Sequence, residues 1–357
     1  MKERFSAQLA ELTAIDGVSG FEGPVVRYLQ EAFAPLADDT EIDALGNLLV
    51  RKGSGEGPVL MLAAHSDEIG CIVKSIEKDG FLRFEKLGGT TDPLLLGRRV
   101  RVKGVPGVIG AKAGHLQTEK ERTQVTKASE LYIDVGARSE AEVREMGINI
   151  GDPVAYDSPL RVLGAGNLVS GKALDDRLGC LILLELFRRV KREEIAGTVY
   201  AAITVQEEVG LRGATVAAYR LNPHLALAID TMPAGDTPDV NFYRELPVGI
   251  GRGPTFQVMS GGGARGHLLH PAVKSLLTET AEREGIPHQL TTFTGGTTDA
   301  SAIHLSREGI PTGVIAIPRR YSHSPIEMAD LNDALATLRL LEAVVRDLGS
   351  GRSLSFI

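Results

Sequence analysis

Residues 172–230 read "KALDDRLGCLILLELFRRVKREEIAGTVYAAITVQEEVGLRGATVAAYRLNPHLALAID". The segment opens as a helix of several turns and passes to a strand at 198–205. It continues as a helix at 212–221 and a second strand at 225–230. Helices alternating with strands that are almost continuously apolar predict a mainly parallel sheet covered by helices on both faces. The same alternation continues outward. Toward the C-terminus come helix 270–285, strands 288–293 and 312–317, and a final amphipathic helix within 329–348. Toward the N-terminus, "PVLMLAAHSDEIG" (58–70) is another buried strand, and two amphipathic helices at 4–15 and 24–36 flank the turn-rich "DGVSGFEG".

Between these parts the pattern changes. From about 70 to 163, short alternating segments such as "CIVKSIEKDGFLRFEKLGG" and "RRVRVKGVPGVIGAKA" are separated by Gly and Pro turns. They predict a small all-β barrel or sandwich, interrupted by one short helix at "SEAEVREMG". The fold expected is therefore an α/β unit over 1–69 and 164–357, with an inserted barrel-like β-domain over 70–163.

A chain of 357 residues is long enough for two cores, and its net charge of −7 argues against a general nucleic-acid or anionic-membrane binder. Cys71 and Cys180 lie in unrelated apolar settings without CxxC spacing and read as buried thiols. The N-terminus lacks the apolar core of a signal peptide, and "LILLELFRRV" is too short to cross a bilayer. A cytoplasmic location is the expectation.

In open α/β sheets, functional groups gather beyond the carboxyl ends of the strands. His65 ends the 59–64 run, Glu207 and Glu208 follow the 198–205 strand, Asp230 ends 225–229, and His323 lies shortly after 314–317. Asp175 and Asp176 stand at the start of the long helix, where a helix cap is one reading of Asp176 and metal ligation the preferred reading of Asp175. His65, Asp175, Glu208, Asp230 and His323 offer five nitrogen and oxygen donors, against the roughly three that one catalytic zinc requires. That surplus suits two divalent ions sharing a carboxylate. One glutamate of the adjacent pair then remains as general base. A solvated Glu-Glu turn beside a helix start is the plainer alternative. For the other candidates, Asp299 is read as a helix cap or a cleft residue. The HxxH pair His267 and His270 has the spacing of a second metal pair but precedes a helix at Pro271 with no carboxylate close in sequence, so no metal role is assigned to it, and Arg252, Arg319 and Arg320 are read as partners of an acidic substrate or as surface pairs.

The motifs "AAHSDEIG", "GKALDDRLGC", "VQEEVGLRGA", "LAID", "GGTTDASAI" and "IPRRYSHSPIEMADLND", with the N-terminal "IDGVSGFEGPV", resemble those of dinuclear aminopeptidases of the glutamyl aminopeptidase and tetrahedral (TET) type. Some members of that group carry a CelM-like endoglucanase label. The resemblance spans nearly the whole chain and implies a zinc-peptidase-like catalytic domain. It implies that His65, Asp175 and Asp230 hold one ion while Asp175, Glu208 and His323 hold the other. Glu207 would be the general acid/base, acting on a metal-bridging water, and Asp67 would orient His65. The ions expected are two per subunit, zinc first, with cobalt or manganese compatible. A cis peptide between Asp175 and Asp176 is implied, as are dimers formed through the inserted domain and assembled into a dodecamer. "GGTTDAS" holds one threonine more than the shorter Gly-Thr-Asp-Ala pattern. The function expected is release of N-terminal residues from short peptides. The rival expectations are metal-free glycoside hydrolysis by paired carboxylates and a degenerate, metal-bound assembly protein.

Overall fold

The computed structural model describes residues 1–53, 55–349 and 351–356. The chain begins α1 (Lys2–Ala14), α2 (Gly23–Phe33), β1 (Asp39–Ile42), β2 (Leu48–Gly53) and β3 (Val59–His65). It then runs through β4 (Gly70–Ile76), β5 (Leu82–Leu87), β6 (Arg99–Val102), β7 (Val105–Gly110), α3 (Glu119–Thr123), β8 (Tyr132–Asp134), α4 (Glu140–Glu145) and β9 (Pro153–Tyr156). The second half holds β10 (Arg161–Leu163), β11 (Leu168–Gly171), α5 (Leu174–Arg189), β12 (Thr198–Thr204), α6 (Arg212–Leu221) and β13 (Leu225–Pro233). It closes with β14 (Thr255–Ser260), α7 (Pro271–Arg283), β15 (Gln289–Phe293), α8 (Ala300–Ile303), β16 (Thr312–Arg320), β17 (Glu327–Asp330) and α9 (Leu331–Arg346).

One large sheet has the order β1-β2-β12-β3-β13-β16-β17-β11-β10, with β14 and β15 attached beside β16. Its centre is parallel, β12 to β3 to β13 to β16, as the alternation predicts. Both flanks are antiparallel, so the parallel character is confined to those four strands and to the β14–β15 pair. β3 shows why the centre holds. Its side chains alternate between two cores: Leu60, Leu62 and Ala64 pack with α1, α2, α5, α7 and α9, while Met61 and Ala63 pack with α6 and Ile303 of α8. The α6 layer uses Ala214, Ala217 and Ala218, small enough for the helix to lie close to the sheet.

β4-β5-β8-β7-β6-β9 closes into an antiparallel barrel around a separate core that includes Val73, Phe84, Ile109, Ile133 and Tyr156. Closure leaves no unpaired sheet edge. The chain leaves the barrel after Tyr156. Arg161–Leu163, counted with the insertion on the sequence pattern, pairs instead with β11 at the edge of the large sheet. The barrel also contains α3 besides the expected helix at 140–145. α3 is five exposed residues held by a Thr118–Glu121 capping box, which leaves no apolar periodicity to read. The helix after Asp299 is a single turn, Ala300–Ile303. Among the described residues no helix is long and apolar enough to cross a membrane.

Candidate metal centre and active site

Parallel register carries the strand ends to one edge. Thr204 of β12 pairs with His65, the last residue of β3, and β13 lies on the other side of β3. Asp230 sits inside β13, which continues to Pro233, and His323 follows β16 by a short turn in which both Tyr321 and His323 have positive φ. The start of α5 supplies Asp175. The bond between Asp175 and Asp176 is cis, both residues have non-helical φ/ψ, and the regular helix begins after them. Asp176 fills the capping role: its carboxylate accepts the Gly179 N–H at 2.9 Å and the His65 N–H at 3.3 Å.

The five expected ligand side chains meet. His65 Nε2 lies 3.2 Å from Asp175 Oδ1 and 3.9 Å from Asp230 Oδ1, and His323 Nε2 lies 3.5 Å from Asp175 Oδ2 and 3.6 Å from Glu208 Oε2. Two groups with donor atoms within 4.8 Å of one another result, His65–Asp175–Asp230 and Asp175–Glu208–His323, and Asp175 is common to both. Glu207 joins His65 and Glu208 in a third such group.

Asp67 organises the glutamate pair. Its two carboxylate oxygens accept the backbone N–H groups of Glu207 at 3.0 Å and Glu208 at 3.1 Å, and Oδ1 lies 3.4 Å from His65 Nδ1. Burial alone would raise the Asp67 pKa, but these bonds and that of Ser19 hold it below the ordinary carboxylate value.

The other carboxylates are pushed the opposite way. Burial first, then the charge of Asp175, lifts Asp230 well above its ordinary value. Burial likewise lifts Glu207, with Asp230 and Glu208 adding to the shift, and brings Glu208 to about 7. Asp175 escapes: against its own burial, the Arg319 charge and the two imidazoles keep it well below the usual range. Burial would lower His65 and His323, yet hydrogen bonds to Asp175 and neighbouring carboxylates raise His65 well above the histidine norm and His323 to about 9. So many buried carboxylates facing two imidazoles make a site that a cation relieves. Glu208 Oε1 is buried with no hydrogen-bond partner among the described residues, as suits a ligand atom. The nitrogen and oxygen donor set fits a divalent transition ion.

Several contacts have no local sequence signal. Arg319, read from sequence as facing a substrate or the surface, is 2 % exposed and bound to Asp175, Glu327 and the Thr231 hydroxyl. Glu327 also accepts the N–H groups of Asp175 and His323, both at 3.1 Å. Glu22 accepts the N–H of Gln206, whose φ of +55° sets the turn into Glu207. Of the remaining arginines, Arg320 forms a bidentate pair with Asp236, and Arg252 lies 4.8 Å from the Phe242 ring centre. Asp299 makes no helix cap; it accepts the Thr204 hydroxyl at 2.6 Å, and the Thr298 hydroxyl accepts the Ala300 N–H instead. His267 bonds the Thr312 carbonyl, His270 packs against Phe356, and both cysteines are buried and free.

A family model for M42 glutamyl aminopeptidase matches residues 46–340. A putative aminopeptidase of Acetivibrio thermocellus is 39% identical over 93% of this chain and 96% of its own length. The glutamyl aminopeptidase of Lactococcus lactis is 35% identical over 95% of each chain, and the lysyl aminopeptidase of Pyrococcus furiosus 33% over 93% of this chain and 94% of its own. Among solved structures, a TET aminopeptidase from a marine sediment thaumarchaeote superposes with a TM-score of 0.91 at 37% identity, covering 98% and 99% of the two chains. A Pyrococcus horikoshii TET1 peptidase described as assembling into a tetrahedron or a large octahedral shell gives 0.85 at 35% identity, covering 96% and 99%. A Thermotoga maritima protein called an endoglucanase gives 0.77 at 31% identity, covering 97% and 99%. A family model over most of the chain and relatives at 33–39% identity over nearly all of it lead to one assignment: the chain belongs to the M42 glutamyl aminopeptidase family and is a peptide-cleaving aminopeptidase.

Proposed function

We propose that the chain releases N-terminal residues from short peptides at a dinuclear centre in which Asp175 is shared, His65 and Asp230 complete one ion's ligands, and Glu208 and His323 complete the other's. The observation that carries this reading is the pair of donor groups with Asp175 in common and Glu207 beside them. Bound there, zinc, cobalt or manganese would polarise the scissile carbonyl and lower the pKa of the attacking water. Glu207 accepts that water's proton and returns it to the leaving amine. Asp67 fixes the height of the Glu207–Glu208 turn and orients the His65 ring. The cleft at this site measures about 370 Å³, room for a terminal residue and the start of the chain behind it.

The test is a panel of aminoacyl anilides assayed after chelator treatment and again after readdition of each divalent ion. Activity is expected to vanish on chelation and return with metal. Cellulose-type hydrolysis that survives chelation would instead favour the glycosidase alternative. Cleavage of no aminoacyl substrate by metal-loaded protein would favour a degenerate assembly protein.

The insertion enters the site as well. A Cβ on Gly89, in the turn after β5, would lie 2.5 Å from His323 Nδ1, and one on Gly88 would lie 3.2 Å from Glu208 Oε2. Gly89→Ala is therefore expected to displace the His323 ring and weaken binding of one of the two ions about 10–100-fold. Titration of metal into the stripped variant checks this, since the His65–Asp175–Asp230 group is left intact. We assign the barrel, residues 70–156, the further task of dimer formation, and a larger homo-oligomer built from such dimers by analogy with the assembling TET1 peptidase. Sedimentation of the native protein reads the assembly mass.

A further inference from the structure

Resting on the peptidase reading, we propose that the enzyme is specific for uncharged N-terminal side chains and that Gln257 is the residue that reads them. The charged groups lining the cleft are already committed. They are the five proposed ligands, Glu207, and Arg319, whose guanidinium is bound by Asp175, Glu327 and Thr231. What remains of the lining is neutral, including Pro233, Phe293, Thr297 and Gln257. A glutamyl side chain entering this space meets no free cation among the described residues, and a lysyl side chain meets no carboxylate there other than the proposed ligands and the general base Glu207. Burying either charge unpaired is heavily penalised.

Gln257 is the exception to an otherwise undemanding wall. It projects from β14, is 1 % exposed, and its Oε1 has no hydrogen-bond partner among the described residues. The one hydrogen bond that its amide nitrogen makes among the described residues is to Met232 Sδ at 3.9 Å. Native proteins pair buried amides, so an unpaired one on the wall of a substrate cleft points to a partner that arrives with the ligand. A side-chain amide both donates and accepts, and so serves neutral polar side chains. Its aliphatic part and the Phe293 ring serve apolar ones. Neither offers a countercharge.

The experiment measures kcat/KM of the metal-loaded native enzyme on Leu, Met, Gln, Glu and Lys anilides, then repeats the panel with Gln257→Glu and Gln257→Leu. Native enzyme should favour the best neutral substrate over Glu and Lys by at least about 100-fold. Gln257→Glu should raise the Lys-to-Leu ratio at least about tenfold, and Gln257→Leu should lower the Gln-to-Leu ratio by a similar factor. A native preference for Glu or Lys overturns the inference and leaves the peptidase assignment standing. Unchanged ratios in both variants, with neutral preference retained, overturn the role of Gln257. Failure to cleave any member of the panel overturns the peptidase reading and this one with it.

Discussion

Glu207→Gln is expected to lower kcat by roughly 10²–10⁴-fold while leaving the bound metal unchanged, the loss typical of removing a positioned general base. The substitution keeps the shape of the side chain and the Glu207 N–H bond to Asp67, and it removes only the ability to take a proton. The metal measurement matters as much as the rate. Glu207 also lies within ligand distance of His65 and Glu208, so a second arrangement, with Glu207 as a ligand, is geometrically available. Loss of an ion along with activity in this variant would sink the base assignment in favour of that arrangement.

Asp175→Asn should have two separable effects. Asp175 stands in both donor groups, so neutralising it weakens both ions together and takes activity to background. The same carboxylate is a partner of the buried Arg319. Glu327 remains beside the guanidinium, so the loss is that of one charged hydrogen bond, about 1.5–3 kcal/mol, smaller than the cost of stranding a buried charge. Denaturant unfolding of the metal-free protein isolates this second effect. A metal-free variant as stable as its parent would mean that Asp175 contributes nothing to holding Arg319.

How much of the fold and site is legible in the sequence follows from the range of each interaction. Val59–Ala64, Tyr200–Val205 and Leu225–Ile229 stand out as central strands because a strand covered on both faces is apolar throughout. Their ends mark the site because a polar residue that closes such a run lies where the core gives way to the crevice. β10, β11 and β17 carry no such mark: each is three or four residues long, and they pair antiparallel at the margin of the sheet. Their existence depends on neighbours that arrive from elsewhere in the chain. The end of the barrel differs from the sequence expectation for the same reason, since Arg161–Leu163 has the pattern of a barrel strand and only its pairing with β11 assigns it to the sheet.

The side chains around the site divide in the same way. Asp67 stands two residues from His65 in one short motif, so the resemblance implies its role together with that of the histidine. Glu327, Glu22 and Arg319 act across separations of 152, 184 and 144 positions, and nothing in their own segments distinguishes them from surface charges. Gly89 is an ordinary turn glycine until the barrel is set against the catalytic unit.

The sequence by itself determined the parallel centre, the separate β-rich insertion and the residue types at each strand end, because periodicity and burial pattern are local properties of a chain. The tertiary structure alone decided that Arg319 is buried against Asp175, that Asp299 bonds Thr204, and that a barrel turn touches His323. Those outcomes depend on which surfaces meet and which charges water can no longer reach, and both are settled only when distant segments pack.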